Sequence, residues 1–313
     1  MGFWLKKKKT AGWLVLSFAG EELQLAHSEP GADGRAVVTL CGTASRPVRD
    51  VAGLGQVARE MRLAHYPVSL VLRLDEYQML VTEAPAVPPE ELKAAVRWRV
   101  KDMLDYHIDD ATLDVLDIPP DPNAPHRGHS LYVVAARNEV ISRYIGLAQE
   151  ADIPLQVIDI PEMASRNIAN VVAEPGRGVA MLTFTDQGGL LTVSYGGELY
   201  LSRHLDVTWE DVNDEGPMRE AHFDRVTLEL QRSLDYVERQ FSFVSVARLW
   251  LAPLPGAASL RDHLAANLYV PVEVLDMGRV FDFSRVPALA TPENQARFFV
   301  PLGATLRREP TAL

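Results

Sequence analysis

The sequence predicts an α/β protein of two halves that share one element order, with an α+β subdomain inserted in the first half. Three observations predict it. One stretch from Gly12 and another from Val179 each read as three short apolar strands joined by glycine-bearing turns. Each meander is followed by a helix with apolar residues stepping by three or four, and then by an apolar strand. AEPGRG at 173–178 is turn-rich and separates the two runs. The expected division is residues 1–175 for the first half, with its insert at about 84–152, and 176–300 for the second. Residues 301–313 are expected as a C-terminal helix returning to the first half.

In chain order, GWLVLSF, ELQLAH and RAVVTLC are the first three strands. A helix is expected from Asp50 to His65, with Asp50 as N-cap and Val51, Leu54, Val57, Ala58 and Met61 on one face. VSLVLRL follows as a well-buried strand. Pro88 and Pro89 before Glu90 and Glu91 mark a helix start, and that helix is expected to reach Tyr106 with Leu92, Val96, Val100 and Met103 in register. TLDVLDI and LYVVAA read as strands around the surface loop PPDPNAPHRGH. Asn138 caps a further helix, LQVIDI is a strand, and Pro161 opens the helix PEMASRNIANVVA.

In the second half VAMLTFTD, GLLTVSYG and GELYLSRHLDV form the meander. A long helix from about Met218 to Phe241 carries the stripe Phe223, Val226, Leu230, Leu234, Val237 and Phe241. ARLWLAP is a strand, Ser259 to Leu268 a helix, VPVEVLD a strand, and FFVPLGATLRR a closing helix.

Composition narrows the function. The chain has 313 residues, with 31 basic and 42 acidic side chains and a net charge of -11, which argues against general nucleic-acid binding. Its single cysteine, Cys41, excludes an intrachain disulfide, suits a reducing compartment and reads as a buried, inert thiol. Four lysines, Lys6–Lys9, precede an apolar run of about ten residues, far short of the ~20 needed to span a bilayer. The start therefore reads as a first hairpin behind a short basic arm, and the chain as soluble and cytoplasmic. The arm, with Phe3 and Trp4, either touches anionic lipid or is a solvated tail.

Other chemistry is weak. His126 and His129 have ligand-like spacing but no third ligand nearby, so a solvated loop explains them. Gly53-Leu54-Gly55 sits inside a helical pattern and is no dinucleotide fingerprint. Asp109 and Asp110 form no ligand set, and Asp114 and Asp117 read as the outward side of a strand. Trp98 lies about 200° from Val96 and Val100 on a 3.6-residue wheel. Flanked by Arg97 and Arg99, it suits either a partner-binding groove or a contact with the neighbouring subdomain.

Several runs together carry a family resemblance. The start MGFWLKKKKTAGWLVLSFAGEELQLA, the insert VPPEELKAAVRWRVKDMLDYHIDDATLDVLDI, the run LYVVAARNEVISRYIGLAQEADIPLQVIDIPEMASRNI, the helix LELQRSLDYVERQFSFVSVARLWLAP and the closing LGATLRR resemble PilM-type proteins in consistent order. Within that group the chain looks like the MshI branch, which serves mannose-sensitive haemagglutinin pili. The resemblance implies an actin-like ATPase fold of two RNase H-like halves facing a cleft. It also implies a cytoplasmic protein on the inner face of a bacterial inner membrane, in a type IV pilus assembly machine. Its partner would be the cytoplasmic N-terminal tail of a PilN-like bitopic protein, with the assembly motor a further contact. Trp4, Arg97, Trp98 and Arg99 are the candidate partner-binding residues.

The resemblance also places the nucleotide positions. Actin-like ATPases wrap phosphates with two hairpin turns bearing acids and glycines, and seat adenosine on a Gly-Gly turn. Here Leu14 stands at the first acid's place, with Ser17 in the bend and Gly20 late. Thr183-Phe184-Thr185 replaces the second Asp-x-Gly, and Asp186 is displaced from the acid's place, before Gly188 and Gly189. Pro253 and Leu254 stand where the adenosine glycines belong, leaving Gly256. The expectation is a pseudo-ATPase that binds no nucleotide or metal cofactor and acts as a scaffold. An ATP-binding switch or weak ATPase of the same pilus, or of a type II secretion system, is the competing reading.

Overall fold

The computed structural model describes residues 10–44, 51–121 and 129–308. The elements run in chain order: β1 (Leu14–Ala19), β2 (Glu22–Pro30), β3 (Ala36–Thr43), α1 (Val51–Glu60), β4 (Val68–Val71), β5 (Tyr77–Glu83), α2 (Leu92–Val100), β6 (Ala111–Ile118), β7 (Ser130–Arg137), α3 (Asn138–Glu150), β8 (Leu155–Asp159) and α4 (Pro161–Val172). There follow β9 (Gly178–Thr185), β10 (Gly188–Tyr195), β11 (Glu198–Leu205), α5 (Trp209–Asn213), α6 (Arg219–Gln240), β12 (Val246–Leu251), α7 (Ala257–Asn267), β13 (Val272–Val274), β14 (Phe281–Asp282), α8 (Pro292–Arg297) and α9 (Phe299–Thr305).

The chain divides into two compact units. The first comprises Met1–Arg73, Ser142–Ala164 and Met277–Leu313. It holds a sheet of order β14-β3-β2-β1-β4-β8, in which β1 and β2 are antiparallel while β1–β4 and β4–β8 are parallel. Successive residues of β1 serve opposite faces, as strand geometry demands. Leu14 and Leu16 pack with Leu54, Val57 and Ala58 of α1 and with Ala148, Ala151 and Ile153. Val15 packs on the other face with Val71, Ala164 and Ala304, beside Trp13 and Val300. Both faces are covered, so β1 and β4 are apolar apart from Ser17 and Ser69, much as buried parallel strands are.

The second unit comprises Leu74–Ile141 and Ser165–Asp276. Its larger sheet has the order β11-β10-β9-β12-β13, with β9 and β12 parallel. Numbered within each half, and with β14 set aside as an added edge strand, both sheets place the strands third, second, first, fourth, fifth, which is the RNase H-like order. The small sheet, β5-β7-β6, is antiparallel throughout. Val96 and Val100 of α2 close one of its faces against Leu131 and Val133. On its other side the Tyr132 hydroxyl donates to the Tyr200 carbonyl at 3.1 Å, and the rings of Tyr77 and His204 meet edge-on. These contacts seat the insert on β11.

Three local expectations are corrected. The first helix ends at Glu60, because Arg62 takes the left-handed conformation and Leu63–His65 continues as one 3₁₀ turn. The helix after Pro89 stops at Val100, and Met103 stands 48% exposed instead of in register. YQMLVTE, read as no element, is strand β5, whose short alternation follows the turn Leu74–Glu76. The long helix α6 does bury Phe223, Val226, Leu230, Leu234 and Val237, as its stripe predicts. Asp50, the expected N-cap, lies outside the described residues.

His27 on β2 is buried between two fixed partners. Its Nε2–H donates to the Ala11 carbonyl at 2.8 Å, so the neutral ring's Nδ1 accepts from the Thr39 hydroxyl. Burial holds its pKa below the ordinary value, outweighing the Ala11 carbonyl and Glu29. The unfolded chain therefore binds this proton more readily than the folded one. Stability is full above the unfolded value, about 6.5, and falls as pH drops towards the folded value. Urea midpoints at about pH 7.5 and about pH 5 should show this loss, and His27→Gln should shrink the difference.

Candidate functional site

Open α/β sheets present ligands beyond the carboxyl ends of their parallel strands. In the second unit Leu182 of β9 pairs with Leu251 of β12, so the turns after Thr185 and after Leu251 share one sheet edge. The first is a two-residue hairpin, with Thr185 paired to Gly188 across Asp186 and Gln187. Asp186 is exposed, while Thr185 and Gln187 are bonded within the chain. The Thr185 hydroxyl accepts from the Gln187 N–H at 3.1 Å and donates to the Gly188 carbonyl at 3.2 Å. The Gln187 side-chain oxygen accepts from the Leu74 N–H at 3.2 Å. Thr183 is buried within the strand.

The two glycines have structural reasons. Gly188 has φ +131°, and a Cβ there would stand 2.6 Å from the Leu205 carbonyl oxygen. A Cβ on Gly189 would stand 2.9 Å from the Phe184 ring. Glycine is required at the first position by backbone and at the second by packing.

At the second turn of this edge, Pro253 and Leu254 are both buried. Gly256, φ +71°, opens α7, and a Cβ there would lie 3.0 Å from Asn213 Oδ1 of α5. A capping box fixes α5: the Thr208 hydroxyl accepts from the Asp211 N–H, and the Asp211 carboxylate accepts from the Thr208 N–H. Those Thr208 bonds hold the Asp211 carboxyl below the usual carboxylate range. Pro253, Leu254 and the Asn213 side chain thus fill the space around this turn.

In the first unit, Leu14 is fully buried and packs in the core, with no access to a ligand. Ser17 is half-buried, with the pairs Phe18–Leu23 and Ala19–Glu22 between it and the turn at Gly20. Ser17 pairs with Val71 of β4, and Val71 with Asp159 of β8, which puts Asp159 on the same sheet edge. The sequence reasoning missed Asp159, though an acid closing the apolar run LQVID before Pro161 was a visible signal. Its carboxylate, with 4% of the side chain exposed, meets Arg307 Nη1 at 2.7 Å, and Arg307 is itself 11% exposed. Cys41 is half-buried rather than fully buried as expected, and burial pushes its thiol up to about 12.

The partner candidates fall on α2. Trp98 is 72% exposed, with the Lys101 ammonium 5.7 Å from its ring centroid. Arg97 turns back on the insert: it donates to the Ala111 and Ile108 carbonyls, at 3.1 and 2.5 Å, and reaches Asp109 at 3.4 Å. Arg99 donates to the Glu83 carbonyl at 3.0 Å. Trp4, Phe3, Lys6–Lys9 and His126 lie outside the described residues. His129 donates to Asp117, and Lys93 pairs with Asp114. Among the described residues no cluster of three His, Cys, Asp or Glu could hold a metal ion, and no helix is long and apolar enough to cross a membrane.

No protein-family model matches the chain, and no curated protein matches it by sequence. Its structure is similar to that of a PilM-PilN type IV pilus biogenesis complex, with a TM-score of 0.68 at 20% identity over 95% of this chain and 98% of that one. It is also similar to the cytoplasmic domain of EpsL, an inner membrane component of the type II secretion system of Vibrio cholerae. There the TM-score is 0.52 at 11% identity, over 96% of this chain and 97% of that one. The fold is the actin-like ATPase fold. At these identities the likeness is one of fold.

The turn glycines give a direct test. Gly188→Ala should cost about 1–3 kcal/mol through its positive φ and the Leu205 carbonyl. Chemical denaturation should show that loss with no ligand present, because the glycine serves the hairpin.

Proposed function

We propose that this chain is a non-catalytic scaffold of a type IV pilus assembly machine of the mannose-sensitive haemagglutinin kind. It works at the cytoplasmic face of the inner membrane and binds the cytoplasmic tail of a PilN-like bitopic protein. The observation that carries this reading is the likeness, over nearly the full length of both chains, to a PilM-PilN complex. The turns support the non-catalytic part. Catalysis on a nucleotide needs charged oxygen ligands for Mg²⁺ and bare backbone for the adenosine. This chain has buried Leu14 and Thr183 at the acid positions, and buried Pro253 and Leu254 at the glycine positions.

The chemistry of such a scaffold is recognition. A short tail orders on binding, apolar anchors supply affinity, and charged neighbours set register. Trp98 is the anchor on α2, since aromatic side chains dominate interface energetics. Arg97 holds α2 to the Ile108–Ala111 segment and shapes the surface from beneath. The basic arm Lys6–Lys9 adds a peripheral contact with anionic lipid.

Calorimetry tests both parts on the folded full-length chain. Mg-ATP should give no heat of binding, and the tail peptide of the PilN-like protein should bind and weaken at least about tenfold in Trp98→Ala. Micromolar ATP binding would overturn the non-catalytic reading in favour of a switch. A folded protein that ignores the tail would overturn the scaffold.

A further inference from the structure

We propose that the outer face of α2 pairs with the same face of a second copy of this chain, antiparallel about a two-fold axis. Each Trp98 seats on Ala94 of the other copy, and each Lys101 meets its Glu91. The pairing goes beyond the scaffold reading and does not rest on it, except that it covers the tryptophan assigned to the tail.

The backbone of α2 stays helical from its cap at Glu91 to its cap at Lys101. At 3.6 residues per turn Glu91, Ala94 and Lys101 lie within about 60° of Trp98, all on one flank of it. Val96 and Val100 point the other way, into the core of the insert. The outer face thus carries a large exposed aromatic beside a small exposed residue, between an acid and a base. A large side chain on one helix fits the gap over a small one on another. Both charges are uncommitted. Lys93 pairs with Asp114 and Arg97 with Asp109, whereas among the described residues Glu91 and Lys101 enter no ion pair.

The spacing makes this face self-complementary. Trp98 and Ala94 stand two positions either side of Val96, and Lys101 and Glu91 five positions either side. A two-fold axis crossing at the level of Val96 therefore sets 98 opposite 94 and 101 opposite 91, in both directions at once, as an isologous contact requires. Such an axis keeps each flank of the seam on its own side, so Lys101 and Glu91, which share a flank, meet across it. Asp102 lies on the other flank, away from Glu90 and Glu91. The tryptophan supplies affinity and the charges set register.

The experiment is sedimentation equilibrium of the full chain, with no peptide or lipid present and circular dichroism as the check on folding. A failed pairing therefore leaves the tail reading standing, and a failed tail titration leaves the pairing standing. Wild type should self-associate weakly, with a Kd on the order of 10⁻⁴ M, as suits a contact below the standard interface size. Trp98→Ala should weaken it at least about tenfold. Lys101→Glu and Glu91→Lys should each abolish self-association, because like charges then face each other, and an equimolar mixture of the two should associate as wild type does. Should Glu91→Lys unsettle the start of α2, Trp98→Ala and Lys101→Glu still decide the matter. A wild-type chain that stays monomeric at millimolar concentration overturns the proposal. So does an association that Trp98→Ala leaves unchanged, or a mixture of folded charge variants that associates no better than either alone.

Discussion

The structure depends on the parallel pairing of the first strand of each half with the strand that returns after a helix. In the first unit Leu14 to Ser17 pair with Val68 to Val71, and in the second Val179 to Leu182 pair with Arg248 to Leu251. Antiparallel strands alone could have been joined by hairpins, but a parallel return needs a crossover, and the crossover supplies a helix that covers a face. Each central strand is then buried on both sides. That burial favours apolar residues, and both Leu14 and Thr183 lie inside the sheet. The same pairing sends the carboxyl ends of the parallel strands of each sheet to one edge, where a ligand would be met.

What stands at those edges is protein. Gln187 reaches back to Leu74, Asn213 crowds Gly256, and Pro253 and Leu254 are buried where an open turn would be needed. In the first unit Arg307 meets Asp159. These contacts are of different kinds: an amide to a backbone N–H, an apolar plug and an ion pair. Gln187 and Arg307 each pair with a polar group that would otherwise lack that partner.

The insert illustrates how polar groups can be structural. Arg97 and Arg99 flank an exposed tryptophan, a pattern that suggests a binding surface. Arg97 instead caps the carbonyls of Ile108 and Ala111, and Arg99 that of Glu83. Three guanidinium bonds to backbone carbonyls tie α2 to both edge strands of its sheet and to the turn before β6. They leave Trp98 as the large apolar side chain of that helix most open to solvent.

The sequence by itself determined the two meanders, the stripe of α6 and the departures at three turns, because these are written in local patterns of period two or 3.6 and in single residue types. It misjudged where periodicity runs past a break. The first helix ends where Arg62 turns left-handed, and Met103 follows a helix that has already stopped. Strand β5 was not legible, since YQMLVTE owes its pairing to β7, about fifty residues further on. Asp159 and Arg307 were each visible, but no pattern in sequence relates two residues 148 positions apart. Only the tertiary structure could decide that they meet, because the docking of α9 on β1 and the register of β8 bring the charges together, and a buried charge is settled by its neighbours in space.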